Sequence, residues 1–308
     1  MSPIFMNGGD GKRGMHMPAA ITHYYHALRV LELWKQDSVN HNALLWGAQG
    51  PDFLFYHRVL PWQKGESLSV YGERLHQEEV VQTLSILRGY AESHPSEIVK
   101  SYIAGFLCHY AADRTCHPFV RAHARELLQV QPEQDEQIAH HELESALDVI
   151  LLRYEAGALP IEFSLKKTLP KDPQVEAEIA TLYAFLLHVR FGVPHAKPLV
   201  EQAIRDAHTA LGWLNDRTSL KKSLVERWEK KHGGKHLLSC HIRGVGEGDD
   251  FDYANTLLGT WRWPENGEPK NESFFDVYER SIQDALELIN GFFAGIDLDK
   301  LTGGRSFG

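Results

Sequence analysis

A buried helix that carries ionisable groups restricts a chain more than any propensity does, and the stretch HYAADRTCHPF, His109–Phe119, describes one. His109, Asp113 and His117 recur at i, i+4 and i+8, and residues four apart on a helix share a face with Cβ atoms about 5–6 Å apart. Ile98, Tyr102 and Gly105 lead into the same stripe, so the polar groups fall where a core-facing helix is apolar. A carboxylate in that position needs a charge partner or a metal. His140-His141-Glu142-Leu143-Glu144 repeats the spacing through His140 and Glu144. One such pair is as readily a hydrogen bond. Two pairs on separate helices can face one cavity and converge on a metal, or on two metals that share the middle carboxylate.

Histidine usage supports that reading, with 18 among 308 residues. Cys108, Cys116 and Cys240 form no framework spacing; they are read as small buried residues in a reducing compartment. The formal net charge of −9 argues against a long nucleic-acid partner. No apolar run is long enough for a transmembrane segment, and MSPIFMNGGDGKRGMHMP lacks the apolar core of a secretory signal. A cytoplasmic location is therefore expected, with transient membrane-surface contact left open.

The periodicity predicts an all-α fold. Helices are expected over Ala19–Trp34, Gly72–Tyr90, Gln134–Glu155 (closed by Gly157), Gln174–Phe191 (capped by Asp172-Pro173), Pro198–Leu214, Ser219–Lys231 and Phe274–Phe293 (with a Ser273/Asp276 capping box). Pro95 opens the helix that carries His109, and Pro118 is expected to stop it just after His117. Gly47, Gly50 and Pro51 mark a turn that presents Asp52. Residues 232–272 read as a long loop with at most a token hairpin. Within it, Trp261 and Trp263 either line a cleft mouth or plug the core. The expected organisation is a flexible tail over 1–16, one helical metal-binding domain over 17–300 and a polar tail over 301–308.

Five segments taken in order, MPAAITHYYHA, GAQGPDFLFYH, Leu75-His76, HYAADRTCHPF and HHELESALD, resemble the bacterial zinc-dependent phospholipase C family. SFFDVYERSIQDALELI also looks like the C-terminal helix of its members. The resemblance implies a single all-helical domain with up to three zinc ions at the bottom of a cleft, a fold shared with zinc-dependent single-strand nucleases. Carried over by motif, Asp52, His76, His109 and Asp113 would hold one zinc. His117, His140 and Glu144 would hold a second, and His23 with a bridging Asp113 a third. His57 competes with His76 for its place and His26 with His23, while His141 is read as outside the first shell or on the surface. Characterised members complete the third site with the amino group of a processed N-terminal tryptophan, which this sequence lacks; Pro18 or His16 could substitute. Two tightly held Zn²⁺ are therefore expected and a weaker third, with Fe or Mn able to replace zinc.

The function that follows is a zinc-dependent phosphodiester hydrolase acting on a phospholipid or related phosphate ester by a metal-bound hydroxide, with Asp52 orienting or deprotonating the water. A nuclease or nucleotidase of the same fold, or a non-catalytic helical metal-binding protein, is the alternative.

Overall fold

The structure, a computed structural model, describes residues 19–307 apart from 37, 60–62, 131–134, 219 and 232–237. The expected tail over 1–16 and the possible amine ligand near Pro18 lie outside the described residues. The fold is predominantly helical. In chain order the helices are α1 (Ala20–Leu33), α2 (His41–Ala48), a 3-10 turn (Gly50–Tyr56), α3 (Ser69–Gln77), α4 (Val80–Ser93), α5 (Glu97–Val130), α6 (Glu136–Ala156), α7 (Pro173–Phe191), α8 (Lys197–Leu214), α9 (Lys221–Lys231), α10 (Phe274–Phe293) and α11 (Leu298–Thr302). The strand content described is one hairpin, β1 (Trp261–Arg262) with β2 (Pro269–Lys270), antiparallel with Trp261 opposite Lys270. No described helix is long and apolar enough to cross a membrane.

α5 is the axis of the molecule. Its residues are buried on nearly every side from Ile98 to Leu127, because α1, α2, α6, α7 and α10 all pack against it. A helix buried all round needs no single apolar stripe. Pro118 does not end it; the helix runs on to Val130. A proline inside a helix costs about 3 kcal/mol or more, and burial of Phe119, Val120 and Leu127 beyond it offsets that cost.

α2 approaches α5 at a glycine contact. A Cβ on Gly47 would sit 2.0 Å from the Tyr102 carbonyl oxygen, and one on Gly105 would sit 2.0 Å from that of Leu44. Gly47 thus serves helix packing rather than the turn expected of it. The expected helix over Gly72–Tyr90 is two helices, broken at Glu78, whose backbone is extended. Arg190 holds the break, pairing with the Glu78 carboxylate at 3.3 Å and donating to the Glu79 carbonyl at 3.2 Å. The break frees α3 to aim His76 inward while α4 packs against α7.

Several sequence signals act where they stand. Asp172 accepts from Gln174 N and Val175 N, Gly157 closes α6 in the left-handed region at φ 59°, and Ser273 and Asp276 form a capping box. Trp261 plugs the core, buried against Phe119 and His123. All three cysteines are buried, and no disulfide joins them.

Candidate metal centre

His23, Asp52 and His76 are each placed by specific contacts. α1 has no side-chain cap of its own. Asp148 of α6 caps it instead, accepting from Ile21 N at 3.2 Å and Thr22 N at 2.7 Å, while Arg243 donates to the same carboxylate at 2.6 Å. That fully buried pair fixes the start of α1 and so the height of His23. Asp52 lies in the 3-10 turn. Gly50, at φ +50°, precedes it, and a Cβ there would meet the His109 ring at 2.3 Å. The Gly50 carbonyl accepts from Tyr183 Oη at 3.1 Å, which pins the turn from α7. His76 donates from Nδ1 to the Gly72 carbonyl at 2.7 Å, so its Nε2 is the atom turned to the site.

The donors converge. Asp52 Oδ1 lies 3.0 Å from His76 Nε2 and 3.9 Å from His109 Nε2. Asp113 turns Oδ2 to His109 Nε2 at 3.3 Å and Oδ1 to His23 Nε2 at 3.3 Å. One carboxylate therefore faces two groups of donors, one oxygen to each. On the far side Glu144 Oε1 lies 3.2 Å from His140 Nε2 and 3.7 Å from His117 Nε2. Three groups could each hold a metal ion: His23, His109 and Asp113; Asp52, His76 and His109; His117, His140 and Glu144.

The chemistry of the donors fits a cation. His76 Nε2 and His109 Nε2 are 3.3 Å apart, and two ring nitrogens that close need a proton or a metal between them. Among the described residues Asp52, Asp113 and Glu144 form ion pairs only with histidines. Burial holds His23 down at about 3 and His109 well below its ordinary value. Both imidazoles are thus neutral near pH 7, the form a metal takes. Burial also drives Asp113 well above the ordinary carboxylate value despite the opposing pull of His117, and the charges of Asp52 and Glu144 push it the same way. Carboxylates crowded in this manner are stabilised by added positive charge.

Glu144 behaves differently. Burial would raise it, but His140, His117 and His141 hold it well below its usual value. His141, expected outside the first shell or on the surface, is buried with Nδ1 3.3 Å from Glu144 Oε2, and the ring of His241 lies 4.8 Å beyond. The two competitors are elsewhere. His57 accepts at Nδ1 from Leu68 N at 2.9 Å, and His26 is buried against Tyr278.

The candidate donors other than His109 form the floor of a cleft of about 380 Å³ whose walls add Phe55, Glu73, Gln77, Arg121, Ser306 and Phe307. Sequence reasoning missed these wall residues. Arg121 continues the stripe of His109, Asp113 and His117 by one more turn, so its place was legible. Residues 303–307, expected to be a polar tail, fold back instead, and Phe307 is 1% exposed. No local pattern announces that.

A family model described as zinc dependent phospholipase C matches residues 21–200, a span that contains all eight candidate donors. No curated protein and no solved structure matches the chain.

Proposed function

The chain belongs to the zinc-dependent phospholipase C family, and from that premise we propose that it is a metal-dependent phosphodiester hydrolase acting on a phospholipid or a related phosphate ester. The observation that carries this reading is the convergence of three donor groups on one cleft floor, with Asp113 turned to two of them. Asp52, His76, His109 and Asp113 would hold one ion, His117, His140 and Glu144 a second, and His23 with Asp113 a third. Bound there, the ions supply Lewis-acid charge for phosphoryl oxygens and acidify a water to near-neutral pKa.

The chain's own residues do the rest. Asp52 uses Oδ1 toward His76 and His109, which leaves Oδ2 to take the proton of the attacking water. Burial raises Asp52, and the hydrogen bond and charge of His76 oppose that rise, so the carboxylate stays a competent base while cations flank it. Arg121 at the wall, paired with Glu265, brings a guanidinium complementary to a phosphate ester. Phe55 and Phe307 give the cleft an apolar side suited to the ester's organic part.

The test is turnover of zinc-loaded protein on bis-p-nitrophenyl phosphate, phosphatidylcholine and single-stranded DNA. Hydrolysis of the first two is expected, with Asp52→Asn lowering it by at least roughly a hundredfold at unchanged helix content. Preferential cleavage of DNA would turn the reading to a nuclease. No turnover on any substrate by fully zinc-loaded protein would leave a metal-binding protein without this chemistry.

A further inference from the structure

We propose that residues 302–307, outside the span that matches the family model, form a clamp that sets the donor geometry of the second metal group. The inference rests on the reading that His117, His140 and Glu144 hold an ion. α5 grips the segment at three points. Arg114 Nη1 donates to the Thr302 carbonyl at 3.3 Å, Tyr110 Oη to that of Arg305 at 2.6 Å, and His117 Nδ1 to that of Phe307 at 3.1 Å. Arg305 also reaches Asp284 of α10 at 3.5 Å. These contacts are long-range in sequence and bring chain that follows the last large helix back to the site.

The third contact has a chemical consequence. A carbonyl only accepts, so His117 Nδ1 must carry the ring proton. In the neutral ring, the form a metal takes, that leaves the lone pair on Nε2, the atom that lies 3.7 Å from Glu144 Oε1. His76 is fixed in the same tautomer by the Gly72 carbonyl. For His117 the partner comes from the far end of the chain. A metal-binding histidine whose second nitrogen is so held loses about tenfold to a hundredfold in metal affinity when the partner goes.

The Phe307 ring adds a second restraint. It lies 4.9 Å from the His76 ring, 5.7 Å from His109 and 5.0 Å from Tyr110. His76 is stacked on Phe55 at 5.6 Å on another side. The His76 imidazole is therefore braced by two aromatic rings. The segment thus acts as a positioning element, by its backbone on His117 and by its side chain on His76.

Three proteins test this: the full chain, a chain truncated after Arg305, and Tyr110→Phe, which removes the hydroxyl that holds the Arg305 carbonyl and accepts from Arg114 Nη1 at 3.2 Å. Zinc affinity is measured by chelator competition, and histidine ¹⁵N spectra of the zinc-loaded proteins report the proton on His117 Nδ1. In the full chain the His117 Nδ1 proton should be visible and exchange slowly with solvent. In the truncated chain that proton should exchange rapidly, and one of the tight zinc ions should weaken by about tenfold or more, with far-UV circular dichroism unchanged. Tyr110→Phe should move both readouts in the same direction by a smaller factor, and it decides the matter if the truncated chain does not fold. Unchanged zinc affinity and an unchanged His117 Nδ1 proton signal in both variants would overturn the clamp while leaving the metal reading intact. A full chain that binds no zinc would overturn both.

Discussion

Gly105→Ala tests the link between helix packing and the metal centre. The new Cβ would stand 2.0 Å from the Leu44 carbonyl oxygen and 2.8 Å from Ala48 N, where ordinary contact begins near 3.4 Å. Both obstacles are backbone, so no side chain can turn away and α2 must part from α5 by more than an ångström. Overpacking of this kind costs about 3 kcal/mol, a fall of about 5 °C in Tm for a chain of this length. The displacement also reaches chemistry. The turn bearing Asp52 follows directly from α2, and Asp52 Oδ1 is already 3.9 Å from His109 Nε2. Tetrahedral zinc with ligands at about 2.0–2.2 Å sets its donors about 3.4 Å apart. Another ångström takes Asp52 and His109 out of reach of one ion, whereas His117 on α5 and His140 and Glu144 on α6 keep their places. Thermal melts of chelated protein and a zinc titration read the two effects. The control is Gly89→Ala, an exposed helical position with no atom within 4 Å of the added Cβ, where the same change should stabilise by about 0.5–1 kcal/mol. Wild-type stability in Gly105→Ala, or equal weakening of every zinc ion, would refute the argument.

Asp148→Asn should destabilise the protein by about 3–5 kcal/mol, because it takes the carboxylate charge away from the buried Arg243 guanidinium; a chemical-denaturation midpoint unchanged from wild type would contradict this. The acid limb of stability should depend on His57. Burial, and then the charge of Arg58, hold it down at about 4 against 6.5 for the free side chain. The unfolded chain takes up this proton below pH 6.5 and the folded chain does not until about pH 4, so stability is full above 6.5 and drains away between the two. The loss is at most about 3 kcal/mol. His57→Asn, whose carbonyl can accept from Leu68 N, should flatten the fall in Tm between pH 7 and 5 in the presence of chelator. Parallel slopes in the two proteins would remove His57 from the account.

The parts of this molecule that were legible in its sequence are those in which the signal is local. The stripe through His109, Asp113 and His117 and the pair His140 and Glu144 are helix periodicity, and they lie where α5 and α6 face the cleft. The Ser273/Asp276 box and the Asp172-Pro173 cap are satisfied within four residues. Where a distant partner decides, local reading failed. Pro118 ought to stop a helix, but packing on both sides carries α5 through it. The Glu78 break depends on Arg190, and Gly47 depends on Gly105 of another helix. Phe307 follows two glycines and looks like a loose end, yet it is held by contacts with α5 that no window of sequence could suggest.

The central claim is that these eight side chains hold metal, and the measurement that reaches it most directly is zinc content after dialysis combined with anomalous diffraction at the zinc edge. His109 Nε2 faces both Asp52 and Asp113 but has one lone pair and can serve one ion. With His109 committed to the group of Asp52 and His76, His23 is left with only a shared carboxylate. The account predicts two ions per chain that survive dialysis, one among Asp52, His76, His109 and Asp113 and one among His117, His140 and Glu144. A third, between His23 and Asp113 Oδ1, should appear only under excess zinc. Anomalous density absent from His109 and Asp113 in zinc-replete crystals would contradict the account at its root.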